Sequence, residues 1–246
     1  MYLNTIALVL RVSDYNDRDA LLTLLSREHG KITAKARGIR RKNSPLTAPC
    51  QLLALSEFTL FEYRGMYTIN EARSIELFTP LRKDLEKLSL GSYFAQVSEV
   101  ISQEDAPTSE LQSLVLNCLY SLSETDLPAE QIKSVFELRI ACIAGYAPDL
   151  YGCHCLSGSL PSFFDLSGGV LLCEGCKDQN IGIRHPVSAG TLEAMRYIVS
   201  CDPKKLFAFT LGSDNFRQLS AIAEAYLITQ LERGFSTLDF YKSFLI

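Results

Sequence analysis

The sequence predicts an α+β protein of two or three domains, in which a small β-barrel precedes a helical domain with a cysteine-rich insertion. Three observations predict this arrangement. Apolar runs that suit strands fill residues 1–79, apolar positions repeat about every 3.6 residues from Pro80 onward, and four cysteines cluster between two helical segments. The 47% hydrophobic fraction of the 246 residues is ordinary for a globular protein with a packed core.

Residues 1–79 contain five segments that we predict to be strands. They are residues 5–12, 20–25, 31–36, 52–63 and 66–77. In the third segment Lys31, Thr33 and Lys35 alternate with apolar residues, and this period of two gives the strand one polar face. A turn at Arg64-Gly65 separates the last two segments. Five short strands without an intervening long helix predict a closed barrel, for which the OB-fold is the commonest five-stranded form.

The remaining residues show helical periodicity that is interrupted once. Apolar stripes predict helices over about 81–101, 111–122, 132–143 and 215–233. The third should end at Gly145, ahead of Pro148. Ser188 is expected to cap a further helix, because a serine hydroxyl accepts a hydrogen bond from the free N–H groups of the first turn.

These patterns divide the chain into three parts. We assign residues 1–79 to an OB-fold domain, residues 80–150 and 186–246 to the helical domain, and residues 151–185 to the cysteine-rich insertion. Within the insertion, residues 162–166 and 169–172 are predicted to form a hairpin that turns at Ser167-Gly168.

Positive charge is concentrated at the start of the chain. Residues 1–42 hold nine Lys and Arg against four Asp and Glu, a net +5, whereas the rest of the chain carries −9. The opposite signs indicate different roles for the two parts. The residues predicted to contact phosphate are Lys31, Lys35, Arg37, Arg40, Arg41 and Lys42. Charge alone would equally fit a solvated loop.

Aromatic side chains in the same domain offer surfaces on which nucleic-acid bases could stack. They are Tyr15, Phe58, Phe61, Tyr63 and Tyr67. Because inward and outward positions alternate along a strand, we expect some of these rings to lie in the core.

Four cysteines have the spacing of a metal site. Cys153, Cys155, Cys173 and Cys176 follow the pattern C-x-C-x17-C-x2-C, which could complete a tetrahedral thiolate shell around a structural Zn²⁺. His154 or His185 could replace one cysteine. The alternative is a set of buried reduced cysteines, or a pair prone to oxidation. The remaining cysteines, Cys50, Cys118, Cys142 and Cys201, are dispersed and are interpreted as core residues.

Several function classes are not expected. No run of eighteen apolar residues and no secretory signal are present, so we expect a cytoplasmic protein with reduced thiols. The sequence lacks a phosphate-binding glycine loop followed by Lys-Ser/Thr. Its three histidines have no evident nucleophile partner, and its acidic residues show no paired arrangement. We therefore expect no catalytic activity.

Several stretches, in this order, resemble the RecO family of recombination mediators. They are Asp14-Tyr15 before residues 21–25, residues 28–31 leading to 36–38, residues 145–150 ahead of Cys153, Phe164-Asp165 and Gly168-Gly169 before Cys173, and a final segment at 241–245. The resemblance implies an OB-fold, a helical domain and a zinc-bearing insertion. It also implies binding to single- and double-stranded DNA, strand annealing, and assistance to RecA on DNA coated with single-strand-binding protein.

The family resemblance further implies two protein partners, RecR and the acidic C-terminal tail of the single-strand-binding protein, in a cytoplasmic, nucleoid-associated setting. Lys133, Arg139 and Arg196 are considered as contacts for that tail, although each could instead pair with an acid on its own helix. The competing hypothesis is a scaffold protein that recruits repair partners without binding DNA itself.

Overall fold

The computed structural model describes residues 1–155, 160–178 and 182–245, and it begins with a closed five-stranded barrel. The strands are β1 (Tyr2–Asp14), β2 (Ala20–Ser26), β3 (Gly30–Ala36), β4 (Leu55–Tyr63) and β5 (Met66–Glu76). Their order around the barrel is β1-β2-β3-β5-β4, and β1 closes it by pairing with both β2 and β4. β3 and β5 pair in parallel, whereas the other neighbours are antiparallel. The predicted OB-like barrel is confirmed.

Alternation of side chains builds the interior of the barrel. In β3, Ile32, Ala34 and Ala36 are buried, while the residues between them are only partly covered. Phe58 and Leu60 of β4 are completely buried in the same cluster. These residues give the barrel its own hydrophobic core. Each buried Leu or Phe side chain stabilises the fold by about 1.5–3 kcal/mol.

The fourth strand begins three residues later than the sequence pattern predicts. Leu53 has a φ of 63°, and its N–H donates to Val9 O at 2.9 Å. The adjacent Ala54 O accepts a hydrogen bond from Val9 N at 3.0 Å. The segment therefore hydrogen-bonds to β1 in a turn conformation before β4 starts at Leu55.

Six α-helices are described after the barrel. They are α1 (Leu85–Ile101), α2 (Ser109–Glu124), α3 (Ala129–Ile143), α4 (Ala189–Ser200), α5 (Ser213–Leu231) and α6 (Ser236–Lys242). Asp84 separates α1 from a preceding 3-10 helix, Thr79–Lys83, and its side chain accepts a hydrogen bond from Lys87 N. The predicted cap is confirmed, since Ser188 Oγ accepts from Thr191 N at 3.2 Å. None of the described helices combines the length and the apolar character needed to cross a membrane.

The chain forms two compact units, residues 1–126 with 235–246, and residues 127–234. In the first unit α1 packs against β1 and α6, and the ring centroids of Tyr93 and Phe235 lie 5.7 Å apart. Gln112 of α2 donates to Leu25 O at 2.8 Å, which ties this helix to β2. In the second unit α3 packs against α4 and α5. The domain boundaries assigned from the sequence stay a prediction.

Four short strands complete the second unit. They are β6 (Asp149–Cys153), β7 (Pro161–Asp165), β8 (Val170–Cys173) and β9 (Arg184–Pro186), in the order β6-β8-β7-β9. β7 and β8 form the predicted hairpin. Strands β6 and β9, which were not predicted from the sequence, flank the hairpin in the chain and complete a cysteine-rich sheet of four strands.

Candidate nucleic-acid interface and metal centre

A groove of about 910 Å³ lies beside the loop that joins β3 to β4. Three basic side chains of this loop line it, namely Arg37, Arg41 and Lys42, and all three are exposed. Aromatic side chains from the strands line it as well. Glu71 is the acidic side chain among its lining residues, so the lining has more positive than negative charges. A polyanion is the ligand that such a surface favours.

The loop folds through consecutive tight turns. Arg41 N donates to Gly38 O at 3.0 Å, and Ser44 N donates to Arg41 O at 3.1 Å. Gly38 has a φ of 67°, and a Cβ there would lie 3.1 Å from Cδ and Nε of Arg41. Glycine at this position therefore permits both the turn and the approach of the Arg41 side chain.

The three other predicted phosphate contacts have partners of their own. Lys35 Nζ lies 3.1 Å from Asp19 Oδ2 and 4.1 Å from the centroid of the Tyr15 ring. Lys31 Nζ donates to the backbone oxygen of Glu99 at 3.3 Å, and Arg40 forms an ion pair with Asp14. The structure thus places Arg37, Arg41 and Lys42 on the groove, and it engages Lys31, Lys35 and Arg40 in contacts within the protein.

Asp19 links the turn between β1 and β2 to the start of the basic loop. Its carboxylate accepts hydrogen bonds from Gly38 N at 2.8 Å and from Asn16 Nδ2 at 3.0 Å, and it pairs with Lys35. The N–H of Gly38, the amide of Asn16 and the ammonium of Lys35 lower the pKa of Asp19 to about 2. The carboxylate is therefore ionised near neutral pH and holds the loop at Gly38.

The aromatic wall of the groove comes from β1 and β4. Tyr2 lies directly opposite Phe61 in the ladder, and their ring centroids are 5.2 Å apart at an interplanar angle of 51°. Tyr63 follows two residues after Phe61 and therefore shares its side of the strand. The exposed fractions of Tyr2, Phe61 and Tyr63 are 63%, 38% and 61%.

Sequence reasoning identified only part of this wall. Of the five rings considered, Phe61 and Tyr63 line the groove, whereas Phe58 is buried in the core. Tyr67 packs partly buried against that core, and Tyr15 lies against Lys35. Tyr2 was missed, because its position beside Phe61 depends on the register between β1 and β4.

The four predicted metal ligands come together at the ends of β6 and β8. These two strands are parallel neighbours, so Cys153 and Cys173 lie at the same edge of the sheet. All four Sγ atoms lie within 4.8 Å of one another, and the Cys155 and Cys173 Sγ atoms are 3.5 Å apart. A tetrahedral site with Zn–S bonds of about 2.3 Å requires S···S separations of about 3.8 Å. Cys153, Cys155, Cys173 and Cys176 could therefore hold a metal ion such as zinc.

The remaining candidates for this centre lie elsewhere. His154 Nε2 is 3.0 Å from Asp149 Oδ2, and His185 sits opposite Phe164 in the ladder between β7 and β9. Neither histidine belongs to the thiol cluster.

Cys50 and Cys118 are buried as expected for core residues, and burial raises the pKa of the Cys50 thiol to about 12.

The three basic residues considered for a partner tail make contacts inside the second unit. Lys133 is buried, and its Nζ lies 2.9 Å from Glu137 and 2.8 Å from Glu224. Arg139 Nη1 donates to Val199 O at 2.9 Å near the end of α4. Arg196 Nε donates to Leu150 O at 2.7 Å. These contacts give all three side chains structural roles.

Comparison with known proteins identifies relatives along almost the whole chain. The family model described as "Recombination protein O N terminal" matches residues 1–78, and "Recombination protein O C terminal" matches residues 82–239. A protein named DNA repair protein RecO from Acetivibrio thermocellus is 36% identical over 244 residues, 98% of this chain and 97% of that protein. A protein of the same name from Pelotomaculum thermopropionicum is 32% identical over 242 residues, 97% of this chain and 93% of that protein. The chain therefore belongs to the RecO family.

Proposed function

We propose that this protein is a recombination mediator in DNA repair. In this role it binds single- and double-stranded DNA, anneals complementary strands, and assists RecA loading onto DNA coated with single-strand-binding protein. The names of its relatives as DNA repair proteins support the general role. The basic groove on the barrel supports the contact with DNA.

The observation that carries the proposal is the availability of the three cations of the groove. Among the residues that the structure describes, no carboxylate lies within ion-pair distance of Arg37, Arg41 or Lys42, in contrast to Lys35 and Arg40. Basic side chains that bind phosphate release condensed counterions, which gives an affinity that tolerates any base sequence. Strand annealing requires such tolerance, because the protein must hold either of two complementary strands.

Partners and location follow from the same proposal. RecR and the C-terminal tail of the single-strand-binding protein are the expected protein partners, and RecA is reached indirectly. The expected location is the cytoplasm, in association with the nucleoid. The protein acts by binding and needs no catalytic residue.

The four-thiol cluster holds a structural Zn²⁺ in this proposal. Four protein ligands leave no coordination position for a substrate water, so the ion would serve the fold and not a reaction. The supporting observation is the convergence of four Sγ atoms at the edge of a small sheet. Metal analysis of the purified protein tests this assignment: about one zinc per chain is expected, and a metal-free protein with intact fold would contradict it.

A strand-annealing assay at fixed salt, together with DNA-binding titrations at several salt concentrations, tests the proposed function. Arg37→Glu and Arg41→Glu are each expected to slow annealing and to reduce the slope of log affinity against log salt by about 0.7 to 0.9, the share of one lost phosphate contact. Lys204→Glu is a matched control, since Lys204 is exposed and lies in the other unit. Annealing that is unchanged in both groove variants would favour the scaffold hypothesis.

A further inference from the structure

We propose that Tyr2, Phe61 and Tyr63 form a stacking platform that gives the groove an additional affinity for unpaired bases. This inference rests on the proposed function, because it assigns a ligand class to one wall of the same groove. The basic loop would bind the phosphates of single strands and duplexes alike. The platform would bind single strands only.

The geometry of the barrel places the three rings on the outer face of two neighbouring strands. Tyr2 and Phe61 are cross-strand neighbours with their rings in contact, and Tyr63 lies two residues further along β4. Tyr63 pairs across the turn with Met66, whose side chain is also exposed and lines the groove. Apolar groups from three adjacent strands therefore stand side by side on the outer surface of the barrel.

The exposure of these rings distinguishes them from the core. The inward-facing residues Phe58 and Leu60 of β4 are fully buried, so the strand has apolar residues in the core without the outer rings. An outward apolar cluster next to polar and basic groups marks a binding surface more often than a structural one. The Arg64 carbon Cζ lies over the Tyr63 ring, 5.2 Å from its centroid, so a cation covers one face of that ring and leaves the other face for a base.

The chemistry of the platform distinguishes single strands from duplexes. In a duplex the faces of the bases are covered by their neighbours, whereas in a single strand a base can turn its face to an aromatic ring. Stacking of this kind changes affinity by about 5- to 150-fold per base. It does not depend on the identity of the base, which agrees with the sequence tolerance of the neighbouring cations.

Fluorescence offers a direct readout, because the chain contains no tryptophan. The variant Tyr63→Trp places a single indole on the platform. We expect a thymidine oligonucleotide to quench the fluorescence of this indole. A saturating duplex of the same length should leave most of the fluorescence unquenched. Tyr120→Trp is the matched control, since Tyr120 is 60% exposed but lies on α2, and its emission should not respond to either ligand.

Affinity measurements complete the test. Tyr2→Leu combined with Tyr63→Leu should weaken binding of the single strand at least 5-fold and binding of the duplex less than 2-fold, and Tyr63→Phe should retain most of the single-strand affinity. Equal losses of affinity for the single strand and the duplex would contradict the stacking platform. An unchanged single-strand affinity would also contradict it, and would leave the rings as a surface for a protein partner. The proposed function fails separately, if charge reversal of Arg37 and Arg41 leaves DNA binding unchanged.

Discussion

The barrel and the cysteine-rich sheet are both built from β-strands, but they are stabilised in different ways. The barrel encloses a cluster of fourteen buried hydrophobic residues. The strands β6–β9 are only three to five residues long, and their buried apolar side chains include Phe164, Leu171 and Leu172. These short strands offer less apolar surface than the barrel, so a metal cross-link would have a clear physical use.

In the barrel, stability and ligand binding depend on different residues. In the cysteine-rich sheet, stability and metal binding would depend on the same residues. In the barrel the interior supplies the stability, and the outer residues are free to bind a ligand. In the cysteine-rich sheet the four thiols could hold a metal ion such as zinc, which would also cross-link the strands. Substitutions on the barrel surface should therefore change DNA binding without changing the fold, whereas substitutions of the cysteines should do the opposite.

The largest effect is expected at the metal centre. Cys173→Ser should abolish metal binding and disorder the cysteine-rich sheet, because the binding energy of a structural zinc, about 10–16 kcal/mol in isolated zinc fingers, is folding energy. Metal content and hydrogen exchange of the sheet would measure this loss. Cys201→Ser is the control, since Cys201 lies outside the thiol cluster. A Cys173→Ser protein that retains both its metal and its exchange protection would refute the assignment.

The core of the barrel gives the next largest effect. Phe58→Ala should destabilise the barrel by about 3–5 kcal/mol, because Phe58 is completely buried and its removal leaves a cavity. Phe61→Ala on the same strand should cost less than about 1 kcal/mol, since that ring is exposed in part. Chemical denaturation measures both values. Equal losses would show that the outer rings are structural.

Two aspartates near the basic loop provide a sharper comparison. Asp14→Ala removes the partner of Arg40 and one negative charge, so it should raise DNA affinity about 2-fold. Asp19→Ala also removes a negative charge, but it releases Gly38 and Lys35 and should lower the affinity. Binding titrations at one salt concentration would show whether the DNA affinity rises in Asp14→Ala and falls in Asp19→Ala. A rise in both variants would mean that Asp19 acts only through its charge.

The smallest expected effect is a change in the stability of the protein at acid pH. The pKa of Asp19 is lowered from 3.8 to about 2 in the folded protein, first by the N–H of Gly38 and then by Asn16 and Lys35. A lowered carboxyl pKa stabilises the folded state above pH 3.8, and this contribution is lost as the pH falls toward 2. The free energy of unfolding, measured across this pH range, should therefore depend less steeply on pH in Asp19→Asn than in the unmodified protein. Identical profiles would contradict the assigned role of the carboxylate.

Local patterns in the sequence were sufficient for most of the helices and strands and for the thiol cluster. Period-two alternation predicted β3, and the two closely spaced cysteine pairs, Cys153/Cys155 and Cys173/Cys176, predicted the thiol cluster. The late start of β4 was not predictable, since it depends on contacts with Val9 far away in the sequence. Helix α6 has only seven residues, too few for a periodic stripe.

The basic residues that line the groove were predictable only in part, for a similar reason. Charge counting treats Lys31, Lys35 and Arg40 like their neighbours, although Lys35 meets Asp19 through the pairing of β1, β2 and β3. The carboxylates that pair with Lys35 and Arg40 lie at the end of β1 and in the turn after it, whereas Lys31 donates to a backbone oxygen of α1. Which cations remain available therefore depends on strand register, and strand register is a property of the whole barrel.

The most direct test of the account combines three reversals in the groove. Arg37→Glu, Arg41→Glu and Lys42→Glu together should weaken single-strand and duplex binding more than 100-fold at moderate salt, and they should leave the melting temperature and the metal content unchanged. Lys204→Glu, Lys205→Glu and Arg217→Glu change the net charge equally on exposed residues of the other unit, and they should weaken binding only slightly. Equal losses in the two triple variants, or none in the groove variant, would contradict the assignment of DNA binding to this groove.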